Sequence, residues 1–125
     1  MTTQYRGYKD LKVYELAYKL AMEIFWDTKS FPKEENYSLT DQIRRASRSI
    51  PGLIAEGWRK RRYPKSFVLR LTDAWGEEGE VQVWLDMSHD CQYLSEERYL
   101  YYCQKYAEVG KMLYSMIQHP EKFCY

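Results

Sequence analysis

The chain is short of the side chains that carry most catalytic and metal chemistry. Its two histidines, His89 and His119, are too few and too scattered for a metalloenzyme core. Its three cysteines, Cys91, Cys103 and Cys124, cannot all pair within one chain, and none sits in a CxxC spacing. Reduced thiols are therefore expected, not a disulfide scaffold or a zinc site. There is no Gly-rich phosphate loop, no GxSxG elbow and no paired Cys/His arrangement, so no enzyme class and no cofactor is indicated. No apolar run approaches the ~18 residues of a membrane span. Residues 1–12 lack an apolar leader core, so no secretory signal is expected and the cytosol is the default compartment. Strand-like alternation and NG or DG hairpin turns are also missing, which argues against a sheet.

What remains is helical. The 125 residues are 45% apolar and 30% charged, the composition of one soluble globular domain. Apolar residues recur at steps of three and four in four segments, which predict helices over about 8–29, 39–62, 64–93 and 95–118. Short connections then give an all-α, up-down-up-down four-helix bundle. Ser38 and Ser95 are the expected N-caps of the second and fourth helices. Pro51 should kink or interrupt the second helix. Gly76 and Gly79 in the third suggest close approach of another backbone. Aromatics reach 17%, with 13 tyrosines. Tyr99, Tyr101, Tyr102 and Tyr106 cover several faces of the fourth helix, which favours contact with a second subunit.

Charge is nearly balanced overall but strongly segregated. Residues 41–70 hold nine Lys/Arg against two Asp/Glu, while residues 71–97 hold eight acidic residues and no Lys or Arg. On the second helix Arg44, Arg48, Arg59 and Arg62 fall within about 60° of one another. With Lys60, Arg61 and Lys65 they make a basic ridge flanked by Trp58 and Tyr63. Arginine forks suit phosphate and aromatic faces suit unpaired bases, so one reading is binding of RNA or DNA. The other is a solvated or self-paired surface, in which basic and acidic helices satisfy each other in an adaptor oligomer whose partner is a protein. Gln42, Arg45, Ser49 and Glu56 form a polar stripe beside the core stripe. They read as a structural cluster whose members need partners on another helix, such as Glu78, or on another subunit. Asp86, His89 and Asp90 share a helical face but more often make a solvated surface than a metal site. Glu77, Glu78 and Glu80 lack the Glu-x-x-His companions of a carboxylate-bridged metal bundle.

Several stretches carry a resemblance. Tyr8-Lys9-Asp10-Leu11-Lys12-Val13-Tyr14, Phe31-Pro32 and Leu39-Thr40-Asp41-Gln42-Ile43-Arg44-Arg45-Ala46 are the first of them. Ser49-Ile50-Pro51, Ile54-Ala55-Glu56-Gly57, Phe67, Glu80, Gln82 and Gly110-Lys111-Met112-Leu113 extend it over nearly the whole chain. Together they resemble the four-helix-bundle proteins encoded in intervening sequences of bacterial 23S ribosomal RNA genes. The resemblance implies a closed bundle assembled as a ring-like homopentamer, with no established enzymatic activity. Related bundles, the accessory proteins of diversity-generating retroelements, bind nucleic acid and a reverse transcriptase. Two positions depart from the pattern: Leu53 stands where the family has Asn, and Trp75 stands in the third-helix Gly-Ser region.

Overall fold

Val13, Ala17, Leu20, Ala21 and Ile24 recur at helical spacing and are all buried, which sets the inner face of α1, Lys12–Asp27. A computed structural model describes residues 5–125; the first four, on which the leader reading partly rests, lie outside it. Three further helices follow: α2, Leu39–Arg59; α3, Pro64–Asp90; and α4, Glu96–Gln118. Each packs on its neighbours in sequence, and α1 closes on α4. Among the described residues there is no strand. The core runs the length of the bundle, through Leu20, Ile50, Ile54, Phe67, Leu71, Leu85, Tyr102, Tyr106 and Leu113. Each of the aliphatic and Phe side chains among them, fully buried, contributes about 1.5–3 kcal/mol.

The helix ends differ from the sequence expectation for identifiable reasons. Tyr8–Asp10 is a separate 3-10 turn, and Leu11 breaks from helix to extended backbone (φ −75°, ψ 130°). That break lets Leu11, 3% exposed, turn into the core. Ser38 does not cap α2 with its hydroxyl. Glu35 does so instead, its Oε1 accepting from the Leu39 N–H at 3.2 Å. Its other oxygen accepts from the Tyr93 hydroxyl at 2.9 Å. That shared proton holds the Glu35 carboxyl below its usual range and pushes the Tyr93 phenol up to about 12. α2 runs unbroken through the buried Pro51. α3 stops at Asp90, short of Tyr93, because Gln92 takes the left-handed conformation (φ 65°). The Tyr93 and Gln92 N–H groups then return to the carbonyls of Ser88 and His89, a Schellman closure. Ser95 caps α4 as expected, accepting from the Arg98 N–H at 3.1 Å.

Gly76 and Gly79 are exposed and approach nothing. The close contacts fall at other glycines. A β-carbon on Gly57 would lie 3.2 Å from Arg70 Cβ, and one on Gly110 would collide with Glu78 Oε1. Glu78, 8% exposed, thus lies over the backbone of α4. Among the described residues no cation pairs with it, and burial pushes its carboxyl above the usual range, the Gln82 amide acting the other way. The folded chain holds this proton to higher pH than the unfolded chain. The associated stability is complete below the unfolded carboxyl range and is lost as pH rises through the folded value. Glu78→Gln keeps the shape and stays neutral. It is expected to melt above the parent at pH 7 and to lose that advantage in acid. Thermal melts across pH check this; equal melting temperatures at pH 7 would count against it.

Candidate nucleic-acid interface

α2 divides two flanks of opposite sign. Ile43, Ile50, Ile54 and Trp58 define its buried side. At about 100° per residue, Arg44, Arg48 and Arg59 fall to one side of that stripe, and Gln42, Ser49, Leu53 and Glu56 to the other. Contacts identify the flanks. Arg44 Nε donates to Thr28 Oγ1 at 2.8 Å, and its guanidinium reaches the Phe25 carbonyl at 3.4 Å. The Arg48 guanidinium lies over the Phe25 ring at 5.6 Å. The basic flank therefore faces α1. On the opposite side Leu53 shares a shallow hollow with Asp73, Gly76, Glu77 and Glu80 of α3. There, burial followed by repulsion from Glu80 raises the Glu77 carboxyl, while the Ser49 hydroxyl lowers it.

This geometry sorts the seven cations. Arg44 is engaged in α1–α2 packing. Arg61 donates from Nε to the Trp58 carbonyl at 2.8 Å and stacks over the Trp58 ring at 3.8 Å, closing the end of α2. Lys60 pairs with Glu56 at 3.2 Å. Arg48, Arg59, Arg62 and Lys65 are exposed, and among the described residues none has a carboxylate partner. The ridge is not all helix. α2 ends at Arg59, and Lys60–Arg62 form a turn, because Tyr63 must be extended (ψ 94°) ahead of Pro64.

The polar stripe does not converge as one cluster within the chain. Arg45 takes its partner from its own helix, Asp41 at 2.9 Å, with 76% of its side chain exposed. Ser49 donates to the Arg45 carbonyl at 2.9 Å. Gln42 is exposed beside the hollow lined by Tyr37 and Trp84. Glu56 makes the stripe's ion pair to another helix, 3.6 Å from Arg70 Nε on α3, and Ser49 also neighbours Glu77 there. Glu78 is partner to none of them. Among the described residues, no cation of α2 pairs with a carboxylate of α3; the ion pair that joins these helices runs the other way. Apart from the Arg70–Asp73 pair within α3, at 3.0 Å, the basic and acidic blocks do not pair among the described residues, because the α2 arginines and the α3 carboxylates lie on opposite flanks of α2.

Asp86, His89 and Asp90 do not converge either. Asp86 accepts from the Tyr99 hydroxyl at 2.7 Å. His89 sits between Asp90 at 3.0 Å and Glu96 at 2.6 Å, stacked on Tyr99. These hydrogen bonds, that of Asp90 foremost, raise its pKa. Among the described residues no His, Cys, Asp and Glu side chains gather in a group of three able to hold a metal ion.

One cluster escaped the sequence reading. Arg98 of α4 binds Glu23 at 3.1 Å and Asp27 at 2.9 Å on α1. It also donates to the Tyr102 hydroxyl at 3.1 Å, and Tyr101 donates to Glu23 at 2.8 Å. Burial, followed by the hydrogen bond to Asp27, drives the Tyr102 phenol well above its ordinary value. The available signal was that Arg98 is the lone Lys or Arg between Arg70 and Lys105. This cluster draws Glu23 and Asp27, two of the three carboxylates of α1, toward α4 and away from the basic flank.

A family model described as "23S rRNA-intervening sequence protein" matches residues 9–115. The chain belongs to this family. Among solved structures it is similar to a protein of unknown function from the S23 ribosomal protein family of Bacteroides thetaiotaomicron. The TM-score is 0.75 at 22% identity, over 85% of this chain and 95% of that one, a likeness of fold. No curated protein matches it. Neither the family nor the structural relative names an enzyme. Among the described residues no helix is long and apolar enough to cross a membrane.

Proposed function

We propose that this family member is a non-enzymatic, homo-oligomeric protein that binds RNA or DNA through phosphates held by Arg48, Arg59, Arg62 and Lys65. The observation that carries the reading is the set of exposed cations, without carboxylate partners among the described residues, on the α1 flank of α2, the turn beyond it and the first turn of α3. Guanidinium groups that no carboxylate neutralises are matched in shape and charge to phosphate oxygens. Arg44, Lys60 and Arg61 add positive potential while holding the flank in place. Leu69, Val83 and Met87, exposed on α3, supply apolar surface for the ring assembly that the resemblance implies. Three free thiols suit a reducing cytoplasm.

Fluorescence anisotropy of a labelled structured RNA at several salt concentrations tests the reading. Four neutralised phosphates per chain give a log–log slope of roughly −3 to −4 on duplex and roughly −3 on single strands. No binding at ~50 mM salt would overturn it. The basic flank would then be occupied by another copy, and the adaptor oligomer would take its place.

A further inference from the structure

The last turn of α1 carries an aromatic pair that the core does not use. Phe25 and Trp26 meet edge to face, with centroids 5.1 Å apart and planes at 75°. Trp26 is 64% exposed and lies opposite the buried stripe of Val13, Ala17, Leu20 and Ile24. Three cations stand around the pair. Lys29 Nζ is 4.6 Å from the Phe25 centroid and 5.7 Å from that of Trp26. Arg44 and Arg48 lie over Phe25 at 5.0 and 5.6 Å. The neighbouring carboxylates, Glu23 and Asp27, turn toward α4 and are held there by Arg98. The open indole thus has Lys29 beside it and is joined to Arg48 of the basic flank through Phe25.

A large flat ring open to water, beside fixed positive charges, fits a ligand that supplies flat rings and anions at regular intervals. A polynucleotide does both. A duplex offers only the anions, since its bases stack on one another. A single strand offers both, because any base can lie on an aromatic face while its phosphates meet Lys or Arg. Resting on the phosphate-binding reading above, we infer that the nucleic acid taken is single-stranded, with a base stacked on Trp26 and flanking phosphates on Lys29 and Arg48. Phe25 is a positioning residue in this scheme. Its faces are occupied by guanidinium groups, and its contact fixes the indole.

The test is anisotropy on the full chain with two labelled probes, an oligouridylate of about fifteen nucleotides and an RNA duplex of equal length. Parent, Trp26→Ala and Trp26→Phe are compared at low salt, with thermal melts to confirm folding. Trp26→Ala is expected to weaken oligouridylate binding by about 5- to 100-fold. The duplex should change by less than about twofold, and the salt slope should persist because the cations remain. Trp26→Phe, which keeps a stacking face, should recover most of the lost affinity. Parent-like oligouridylate binding by Trp26→Ala would overturn the inference, and so would equal losses on both probes. Should the parent bind neither probe, the phosphate reading fails and this one with it. Should the parent bind both with steep salt dependence while Trp26→Ala is indifferent, stacking alone fails.

Discussion

The variant Arg48→Glu, Arg59→Glu, Arg62→Glu is expected to bind RNA at least about a hundredfold more weakly than the parent near 0.1 M salt. Each phosphate contact contributes through release of a condensed counterion, on the order of tenfold in affinity at that salt, and reversal adds repulsion. Three contacts multiply. The change should cost the fold little, because the three side chains are exposed and none has a carboxylate partner among the described residues. Surface substitutions of this kind usually stay within about 0.5 kcal/mol. Arg61 is left intact by design, since it closes α2 through the Trp58 carbonyl and ring. Anisotropy reads the affinity, and a melting curve reads the fold. Unchanged affinity in a folded variant would remove this flank from consideration.

Phe67→Ala is expected to destabilise the protein by about 3–5 kcal/mol. Phe67 is fully buried at the start of α3, its ring stacked on Phe123 with centroids 6.1 Å apart. Phe123 in turn meets Trp58, at 6.4 Å. Its backbone carbonyl lies near Gly57, where α2 and α3 pass closely. Truncation removes the ring's transfer energy and leaves a cavity that helices pinned at Gly57 cannot close. Against a total stability of about 5–15 kcal/mol, that loss is a large fraction. Urea unfolding should show a lower midpoint at an unchanged slope. A loss below about 1 kcal/mol would show that the bundle end collapses to fill the space. Trp58 also carries Arg61, so the floor of the basic turn is part of the same packing.

The helices and the family were legible because they depend on local periodicity and on runs such as Leu39–Ala46. Their ends were less so. Leu11 leaves the helix to bury its own side chain, and Glu35 displaces Ser38 as cap because Tyr93 holds it there; both are tertiary effects. The basic residues were legible as a patch, but their division into engaged and open cations was not. That division depends on Thr28 and Phe25 beside Arg44 and on the ring beneath Arg61. Nor could spacing show that the α2 arginines look toward α1 while the α3 carboxylates lie across the helix, since a helical wheel fixes angles but not neighbours. The Arg98 cluster joins residues more than 70 positions apart, beyond any local pattern. Glu78 shares the buried face of α3 with Phe67, Leu71, Ala74, Val81 and Leu85, and Gly110 opposite leaves room for its carboxyl, a fit that no spacing in the sequence shows.

The division along α2 sets up a steep lateral field. A helix with its side chains is roughly 10–12 Å across, close to the Debye length of about 10 Å at 0.1 M salt. Positive and negative flanks therefore stay electrically distinct at moderate ionic strength; at about 0.01 M salt, where that length grows to about 30 Å, their fields overlap and partly cancel, and at high salt both fade. A polyanion drifting over this surface meets a well on one side of α2 and a wall on the other. Under the proposed function, the wall would give a strand lying along α2 a preferred side, and the carboxylates of Asp73, Glu77 and Glu80 would guide the path of a ligand they never touch.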